Sequence, residues 1–377
     1  MTRIVRSILI LAGCLASVCA WAQAQREILI GHVAGYTGAV SKDSTEMGLG
    51  AQVAFDAANE RGGFAGRKFR IVTADDQYKP EESVRLLRTM VGKVSALLPT
   101  TGSSNLTLVL KERVLDDVTL PVIGTIPSPE SLRTPLHKNI FHFRAGDRDQ
   151  LEKIVEQLTT IGITNIGVIA AKNAASTERV AIIEQALQKR NLKLVGQAFF
   201  ESSTEANFEA TAKQFDQVAR QALVLIGPPK PMADLVKFLK TRGEPAQLIS
   251  LSYADAQLIV KQAGPQLAHG VVLAQVLPNL NAAGVPLIKA FRRDFATYAK
   301  ASGEPTYFHL EGYISARLIM EAMRVAKDTS PEGVKRGLER LSEFDLGGYV
   351  VDFSPTKHTG SRFVELGVIS GAGRLNY

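Results

Sequence analysis

Residues 28–74 read ILIGHVAGYTGAVSKDSTEMGLGAQVAFDAANERGGFAGRKFRIVTA. This stretch has the pattern of a strand, a helix and a second strand. The apolar run at 28–33 predicts a strand, residues 45–60 carry apolar side chains at helical spacing, and 69–74 predicts another strand. A Gly-Gly pair ends the helix before the second strand. One helix between two short strands is typical of a βαβ unit, in which the strands are parallel.

The same alternation continues along the chain in two rounds, and the second round begins after Arg144. It predicts an α/β fold with two Rossmann-like, doubly wound lobes of parallel sheet. The further predicted helices are 80–92, 103–117, 148–160, 177–190, 206–219 and 231–242, and the further predicted strands are 95–99, 121–124, 165–170, 193–199, 222–226 and 247–251.

The first 24 residues have the three parts of an export signal. Arg3 and Arg6 form a positive segment, residues 8–20 are apolar, and Ala-Gln-Ala at 22–24 is a small-residue cleavage site. The apolar run is too short to cross the ~30 Å hydrocarbon core of a membrane. The sequence therefore predicts a cleaved signal peptide over 1–24 and a periplasmic protein.

A lipid anchor at Cys14 is the alternative. Residues 11–14 read LAGC, which matches the tetrapeptide that precedes lipid attachment in bacterial lipoproteins. Only the five apolar residues 8–12 would then precede Gly13 and Cys14, whereas cleavage after Ala24 uses the whole apolar run. The chain has two cysteines, Cys14 and Cys19. Cleavage after Ala24 would leave a mature protein with neither a disulfide nor a cysteine metal site.

The composition allows two domains, each with a hydrophobic core. Of the 377 residues, 45% are hydrophobic and 21% are charged. The formal net charge of +7 is spread along the chain without a block of like charges. This even distribution argues against nucleic acid as a partner.

The sequence carries none of the common catalytic motifs. It lacks the G-x-S-x-G elbow, the H-E-x-x-H pair and the G-x-x-x-x-G-K-[ST] phosphate loop, and its six histidines are scattered. Asp75 and Asp76 follow one another at a predicted strand end, where neighbouring side chains point to opposite faces. We therefore expect a binding protein rather than an enzyme, with no metal and no cofactor.

Two loops at the carboxyl ends of predicted strands form the candidate site. Residues 100–105 read TTGSSN, and residues 124–129 read GTIPSP. In the first loop a glycine allows a ligand to approach the backbone, and we expect Ser103 or Ser104 to cap the next helix, whose N–H groups favour an anion. Ligands of open α/β folds bind at the carboxyl ends of strands. The sequence therefore predicts a site for a carboxylate or another anion.

A series of short motifs has a specific order and spacing. The motifs are Gly50-Ala51, Asn59–Arg67 (NERGGFAGR), Asp75-Asp76 with Pro80, His309–Tyr313 (HLEGY), and Gly347-Gly348 with Phe353. Together they resemble the leucine/isoleucine/valine-binding protein family, the type I periplasmic solute-binding proteins of ABC transporters. The resemblance runs from about Ile28 to the C-terminus.

This resemblance implies two lobes joined by three crossovers, with the ligand trapped as the lobes close. Lobe one would comprise 28–146 and 277–354, and lobe two would comprise 147–276 and 355–377. We expect a monomer whose partners are a small-molecule carboxylate and an ABC transporter permease in the inner membrane. A ligand-sensing module of a signalling system is the alternative, because this fold also serves such modules.

In lobe one the resemblance places the ligand carboxylate on Ser103, with further contacts from the backbone carbonyl of Ile126 and the hydroxyl of Ser128. Tyr36 follows the first strand and is a candidate to stack on the ligand. Weaker candidates are Tyr307, His309, Arg144 and Lys230.

In lobe two the residues depart from the family. Its two aromatic residues fall near Ala174-Ala175 and on Pro229, and its acid, which pairs with an α-ammonium group, falls on Ser252 next to Tyr253. Because a buried ammonium without a counter-charge costs several kcal/mol, these departures predict a carboxylate ligand without an ammonium, such as an aromatic or keto acid. If the alignment is offset by a residue or two, Asp255 or another acid supplies the charge and the ligand is an amino acid.

Overall fold

A computed structural model describes residues 27–38, 40–126, 128–201 and 208–377. The predicted signal peptide, with Cys14 and Cys19, lies outside the described residues. The chain divides into two compact units. Unit 1 takes the described residues up to 127, with 136–143 and 283–358, and unit 2 takes 128–135, 144–282 and 359–377.

The strands of the described residues are short. In chain order they are β1 Glu27–Ala34, β2 Lys68–Asp75, β3 Ala96–Leu97, β4 Val122–Ile123, β5 Ile140–Phe141, β6 Ile166–Ala171, β7 Gly196–Phe200, β8 Ala222–Ile226, β9 Gln247–Ser250, β10 Val272–Gln275, β11 Phe344–Asp345, β12 Val350–Val351, β13 Glu365–Ile369 and β14 Leu375–Asn376.

Helices connect most of these strands. In chain order they are α1 Ser41–Glu60, α2 Pro80–Met90, α3 Ser103–Lys111, α4 Asp147–Thr160, α5 Ala174–Gln188, α6 Phe208–Lys213, α7 Pro229–Thr241, α8 Ala256–Ala263, α9 Pro265–Ala268, α10 Pro286–Tyr298, α11 Tyr307–Ala326 and α12 Pro331–Leu338. No helix of the described ranges is long and apolar enough to cross a membrane.

The sheet of unit 1 has five parallel strands in the order β2-β1-β3-β4-β5. β1 lies inside the sheet and pairs with both neighbours, so that Ile30 stands opposite Ile71 on one side and Ala96 on the other. Ile28 and Ile30 are fully buried. This topology confirms the βαβ units predicted from the alternation of strands and helices.

The sheet of unit 2 has seven strands in the order β14-β13-β10-β9-β8-β6-β7. The strands from β10 to β7 are parallel, whereas β13 is antiparallel to β10 and β14 is antiparallel to β13. The two strands at this edge are thus antiparallel additions to the predicted parallel sheet. β13 and β14 are joined by a five-residue turn and form a hairpin, which needs no crossover helix.

The core of unit 2 lies on both faces of its sheet. Alternate residues of β6 belong to different buried clusters, with Ile169 and Ala171 in one and Val168 and Ala170 in the other. Because successive side chains of a strand point to opposite faces, a central strand covered by helices on both sides is apolar throughout. This explains why the sequence IGVIAA of β6 shows no polar alternation.

Some predicted boundaries are wrong. α3 ends at Lys111 instead of continuing to 117, because Arg113 has a left-handed backbone (φ 54°) that no helix accommodates. Residues 128–135, which we assigned to lobe one, lie with unit 2. They are held there by hydrogen bonds to the start of α4, described below. The helices from α8 to α12 are not among the predicted elements.

Candidate functional site

The loops that follow β1 to β4 lie together at the carboxyl edge of the unit 1 sheet. Asp76 N donates a hydrogen bond to Ala34 O (3.1 Å), which joins the loops after β2 and β1. Ile126 N donates to Thr100 O (3.2 Å), which joins the loops after β4 and β3. The two loops in which we predict the anion site are therefore neighbours.

The start of α3 differs from the prediction in one respect. The N-cap is Gly102 (φ 85°) and not Ser103 or Ser104, and no side chain of the described residues caps this helix. Ser103 is the first helical residue and is partly exposed, while Ser104 is exposed. A left-handed φ suits glycine, and the backbone N–H groups of the first turn then point outward without a capping side chain. Such a helix start attracts an anion.

A buried polar cluster holds this helix start against the loop after β2. Asp76 Oδ2 accepts hydrogen bonds from Ser83 Oγ (2.5 Å) and from Asn105 Nδ2 (3.2 Å), and all three residues are buried. Asn105 Nδ2 also lies 2.6 Å from Ser83 Oγ. Asp75, by contrast, accepts from Thr37 at the surface. The two adjacent carboxylates thus have separate roles, and that of Asp76 in supporting α3 is not evident from the sequence.

Tyr36 is fixed by a buried histidine. His32 Nε2 lies 3.1 Å from the carbonyl oxygen of Pro99, and its Nδ1 lies 2.6 Å from Tyr36 Oη. A carbonyl only accepts, so Nε2 carries the proton and Nδ1 of the neutral ring accepts from the tyrosine hydroxyl. Burial lowers the pKa of His32 to about 4. The hydroxyl of Tyr36 is therefore committed to His32, and the residue as a whole is partly exposed.

We expect His32→Gln to change how the stability of the protein depends on pH. The unfolded histidine binds a proton near pH 6.5, whereas the folded one binds it near pH 4. Between these values the unfolded state holds more protons, so the neutral ring stabilises the fold above pH 6.5 and this contribution is lost as the pH falls towards 4. The slope of unfolding free energy against pH should drop by up to about 1.4 kcal/mol per pH unit in the variant. Urea titrations between pH 4 and 7 measure it, and an unchanged slope would contradict the assignment.

Ser128 does not belong to the unit 1 loops. It is fully buried in unit 2, where its Oγ accepts a hydrogen bond from Arg133 Nη2 (3.1 Å) and its carbonyl accepts from Asp147 N (3.1 Å). Arg133 Nη1 also donates to Arg144 O (3.0 Å). These bonds tie 128–135 to the start of α4. Arg133 has no sequence pattern that would have singled it out.

An acid lies in unit 2 near the position where the family acid is missing, but it is already engaged. Asp147 is fully buried at the start of α4. Its Oδ2 accepts from Arg179 Nε (2.7 Å) and its Oδ1 accepts from Tyr253 Oη (2.5 Å). Burial, followed by the charge of Asp147, raises the pKa of Tyr253 to about 12. Tyr253 therefore remains a neutral donor to Asp147.

Ser252 lies beside a positive charge. Its Oγ accepts a hydrogen bond from Arg144 Nη2 (2.8 Å), and its N–H donates to Gln150 Oε1 (2.9 Å). The guanidinium groups of Arg144 and Arg179 lie 5.8 Å and 5.2 Å from the centre of the Tyr253 ring. Ser252 therefore has a guanidinium group as a hydrogen-bond partner.

The remaining sequence candidates have local structural roles. Asp255 caps α8, since its Oδ1 accepts from the backbone N–H groups of Gln257 (2.8 Å) and Leu258 (3.2 Å). Pro229 is the first residue of α7 and is partly exposed, and Lys230 pairs with Asp234 within the same helix. The other candidates lie at or before helix starts: Ala174-Ala175 begin α5, Tyr307 and His309 begin α11, and Arg144 precedes α4.

No group of three His, Cys, Asp or Glu side chains in the described part of the chain is placed to hold a metal ion.

The chain is similar to known proteins over nearly all of the described residues. A family model described as "Periplasmic binding protein" matches residues 27–373. An extracellular ligand-binding receptor from Verminephrobacter eiseniae has a crystal structure that superimposes with a TM-score of 0.88 and 29% identity, over 93% of this chain and 100% of that one.

Two curated relatives are named as amino acid binding proteins. An amino acid binding protein of Pseudomonas aeruginosa is 22% identical over 310 residues, which is 81% of this chain and 80% of the relative. A Leu/Ile/Val-binding protein homolog of Brucella melitensis is 21% identical over 334 residues, 88% of this chain and 87% of the relative. These similarities confirm the family and the fold class predicted from the sequence motifs.

Proposed function

The chain belongs to the periplasmic binding protein family, and from this we propose that it is the solute receptor of an ABC transporter for a small carboxylate that lacks an ammonium group. Aromatic and keto acids are the proposed ligand classes. The predicted signal peptide at 1–24 supports a periplasmic location, and an inner-membrane permease is the proposed partner. We propose that the protein acts as a monomer and without catalysis.

The charge around Ser252 carries the ligand proposal. The resemblance assigns the contact with an α-ammonium group to this position, where the family has an acid. Here Arg144 donates to Ser252, and the nearby carboxylate of Asp147 is bound by Arg179 and Tyr253. An ammonium group at Ser252 would meet a guanidinium instead of a counter-charge. Like charges in a buried site cost several kcal/mol, so a zwitterion is disfavoured.

The start of α3 supports the carboxylate end of the proposed ligand. Gly102 leaves the first-turn N–H groups without a capping side chain, and Ser103 stands beside them with a partly exposed hydroxyl. Among the other predicted residues, we propose contacts from Ser104, Ile126 and Tyr36 of unit 1. For unit 2 we propose contacts from Ser252, Tyr253 and Pro229, while Ser128 acts through its bond to Arg133.

Calorimetric titration tests the proposed ligand class. We expect an aromatic acid such as benzoate or a keto acid such as phenylpyruvate to bind, and leucine to bind at least about 100-fold more weakly, because the ammonium lacks a counter-charge. We expect Ser103→Ala to weaken binding of the acid by about tenfold, since one hydrogen bond to a charged group is lost.

Ser342→Ala is the matched control for Ser103→Ala. Ser342 is in unit 1 and its hydroxyl donates to Asp352 at the surface, away from the loops after β1 to β4. Its removal should leave the affinity unchanged. Micromolar binding of leucine, with no binding of acids that lack an amine, would instead make the protein an amino acid receptor like the relative from Pseudomonas aeruginosa.

A further inference from the structure

An aromatic side chain at the edge of the unit 1 sheet has an uncommon backbone. Gln77 and Tyr78 both lie in the left-handed region, with φ of 54° and 59°. Residues other than glycine seldom adopt this conformation, and two in succession need support from their surroundings. The support comes from the preceding acids, because Asp75 Oδ1 accepts from Gln77 N (2.8 Å) and Asp76 Oδ1 accepts from Tyr78 N (2.8 Å).

This backbone places the ring of Tyr78 against the start of α3. A Cβ atom added to Gly102 would lie 2.6 Å from Cε2 of Tyr78, so the ring edge occupies the space that the missing side chain leaves. On its other side, a Cβ atom added to Gly35 would lie 3.2 Å from Cβ of Tyr78. Two glycines thus make room for this residue between the loops after β1 and β3. The residue after Gly102 is Ser103, the proposed carboxylate contact.

Tyr78 is nevertheless accessible to solvent. Tyr78 is 39% exposed, which is unusual for a large aromatic residue that is packed on two sides. A tyrosine that only filled space between loops would be covered. The buried cluster of Asp76, Ser83 and Asn105 fixes both the loop that carries the ring and the helix start beside it. These bonds therefore hold the loop of Tyr78 next to the proposed anion site.

We propose that Tyr78 is a specificity-determining residue that contacts the ligand through its ring and selects carboxylates with a flat aromatic group. The inference rests on the proposed function, since it takes the carboxylate to lie at the start of α3. A ring held beside the bound carboxylate stacks on an aryl group attached to it. It has less to gain from a saturated ring of the same size, which offers no π face.

The test compares benzoate with cyclohexanecarboxylate, two acids of similar size that differ in aromaticity. Calorimetric titrations are made with the parent protein, Tyr78→Phe and Tyr78→Asn. Asparagine tolerates a left-handed backbone, so this variant removes the ring without adding strain. We expect the preference for benzoate to fall about three- to tenfold in Tyr78→Asn and to persist in Tyr78→Phe, as loss of one aromatic contact implies.

Tyr377→Asn is the control, because Tyr377 is a tyrosine of similar exposure (42%) in unit 2. It should keep the parent preference. Melting curves establish that each variant is folded, and Tyr78→Gly, which also accepts a positive φ, repeats the test if the asparagine variant does not fold.

An unchanged preference in a folded Tyr78→Asn would overturn the role of Tyr78 while leaving the proposed receptor for carboxylates intact. Binding of leucine by the parent protein, with no binding of either acid, would overturn both proposals together.

Discussion

Asp147→Asn is expected to lower the free energy of unfolding by about 3–5 kcal/mol. The side chain of Asp147 is fully buried, and its two oxygens accept from Arg179 and from Tyr253. An amide of the same size removes the negative charge but leaves the guanidinium of Arg179 in place, with only 11% of its side chain exposed. The variant therefore buries a cation without a counter-charge, which is the costly way to break an ion pair.

Asp234→Asn provides the comparison for this variant. Asp234 also pairs with a cation in unit 2, Lys230 at 2.8 Å, but 65% of the lysine side chain is exposed. Water solvates both ions there, so the pair contributes at most about 1 kcal/mol. Urea unfolding followed by circular dichroism gives both values. Equal losses for the two variants would show that the contacts of Asp147 are as weak as those of a surface pair.

The periodicity of the sequence predicts the central strands because it reflects their burial directly. The run of apolar residues in β6 and β8 follows from burial on both faces of the unit 2 sheet. The antiparallel strands β13 and β14 are not predicted, since a hairpin lacks the intervening helix that marks the parallel strands in the sequence. The predicted N-cap of α3 is wrong for a different reason. Serine is a good N-cap, but the left-handed turn at this position requires Gly102.

In the candidate site, too, the sequence predicts some features and misses others. Loops at the carboxyl ends of neighbouring strands are predictable, because parallel pairing brings them to one edge. The bond of Arg144 to Ser252 joins residues that are 108 positions apart, and that of Asp147 to Tyr253 spans 106. No local pattern encodes such pairs. A single sequence therefore shows that serine, and not an acid, occupies position 252. It does not show that the guanidinium group of Arg144 lies beside this serine.

The motif HLEGY, which points to the family, has a physical reason in the packing of two helices. Gly312 lies in the second turn of α11 and faces α1, where a Cβ atom added to it would overlap the carbonyl oxygen of Met47. Gly50 of α1 stands in the same relation to the carbonyl of His309. Two backbones that approach this closely admit no side chain at either position. Gly312 of the motif and Gly50 of α1 are thus determined by helix packing and not by ligand contact.

Gly312→Ala is therefore expected to destabilise the protein by about 1–2 kcal/mol, although alanine is the better helix former. Replacing glycine by alanine in a helix gains about 1 kcal/mol. The overlap involves backbone atoms of Met47 and a 3.0 Å approach to Ala51 N, which cannot move aside as a flexible side chain would. Helices α1 and α11 must then separate, and such overpacking in a dense core costs about 1–3 kcal/mol and occasionally more. The steric cost outweighs the gain in propensity.

Gly284→Ala controls for the substitution itself. Gly284 is also in unit 1, but no atom lies within 4 Å of a Cβ added there and its φ is not left-handed. Its replacement should change the free energy of unfolding by less than about 0.5 kcal/mol. Urea unfolding of both variants measures these two changes in the free energy of unfolding. A Gly312→Ala protein as stable as the Gly284→Ala protein would mean that α1 and α11 do not approach as described, and the explanation of the HLEGY motif would fail with it.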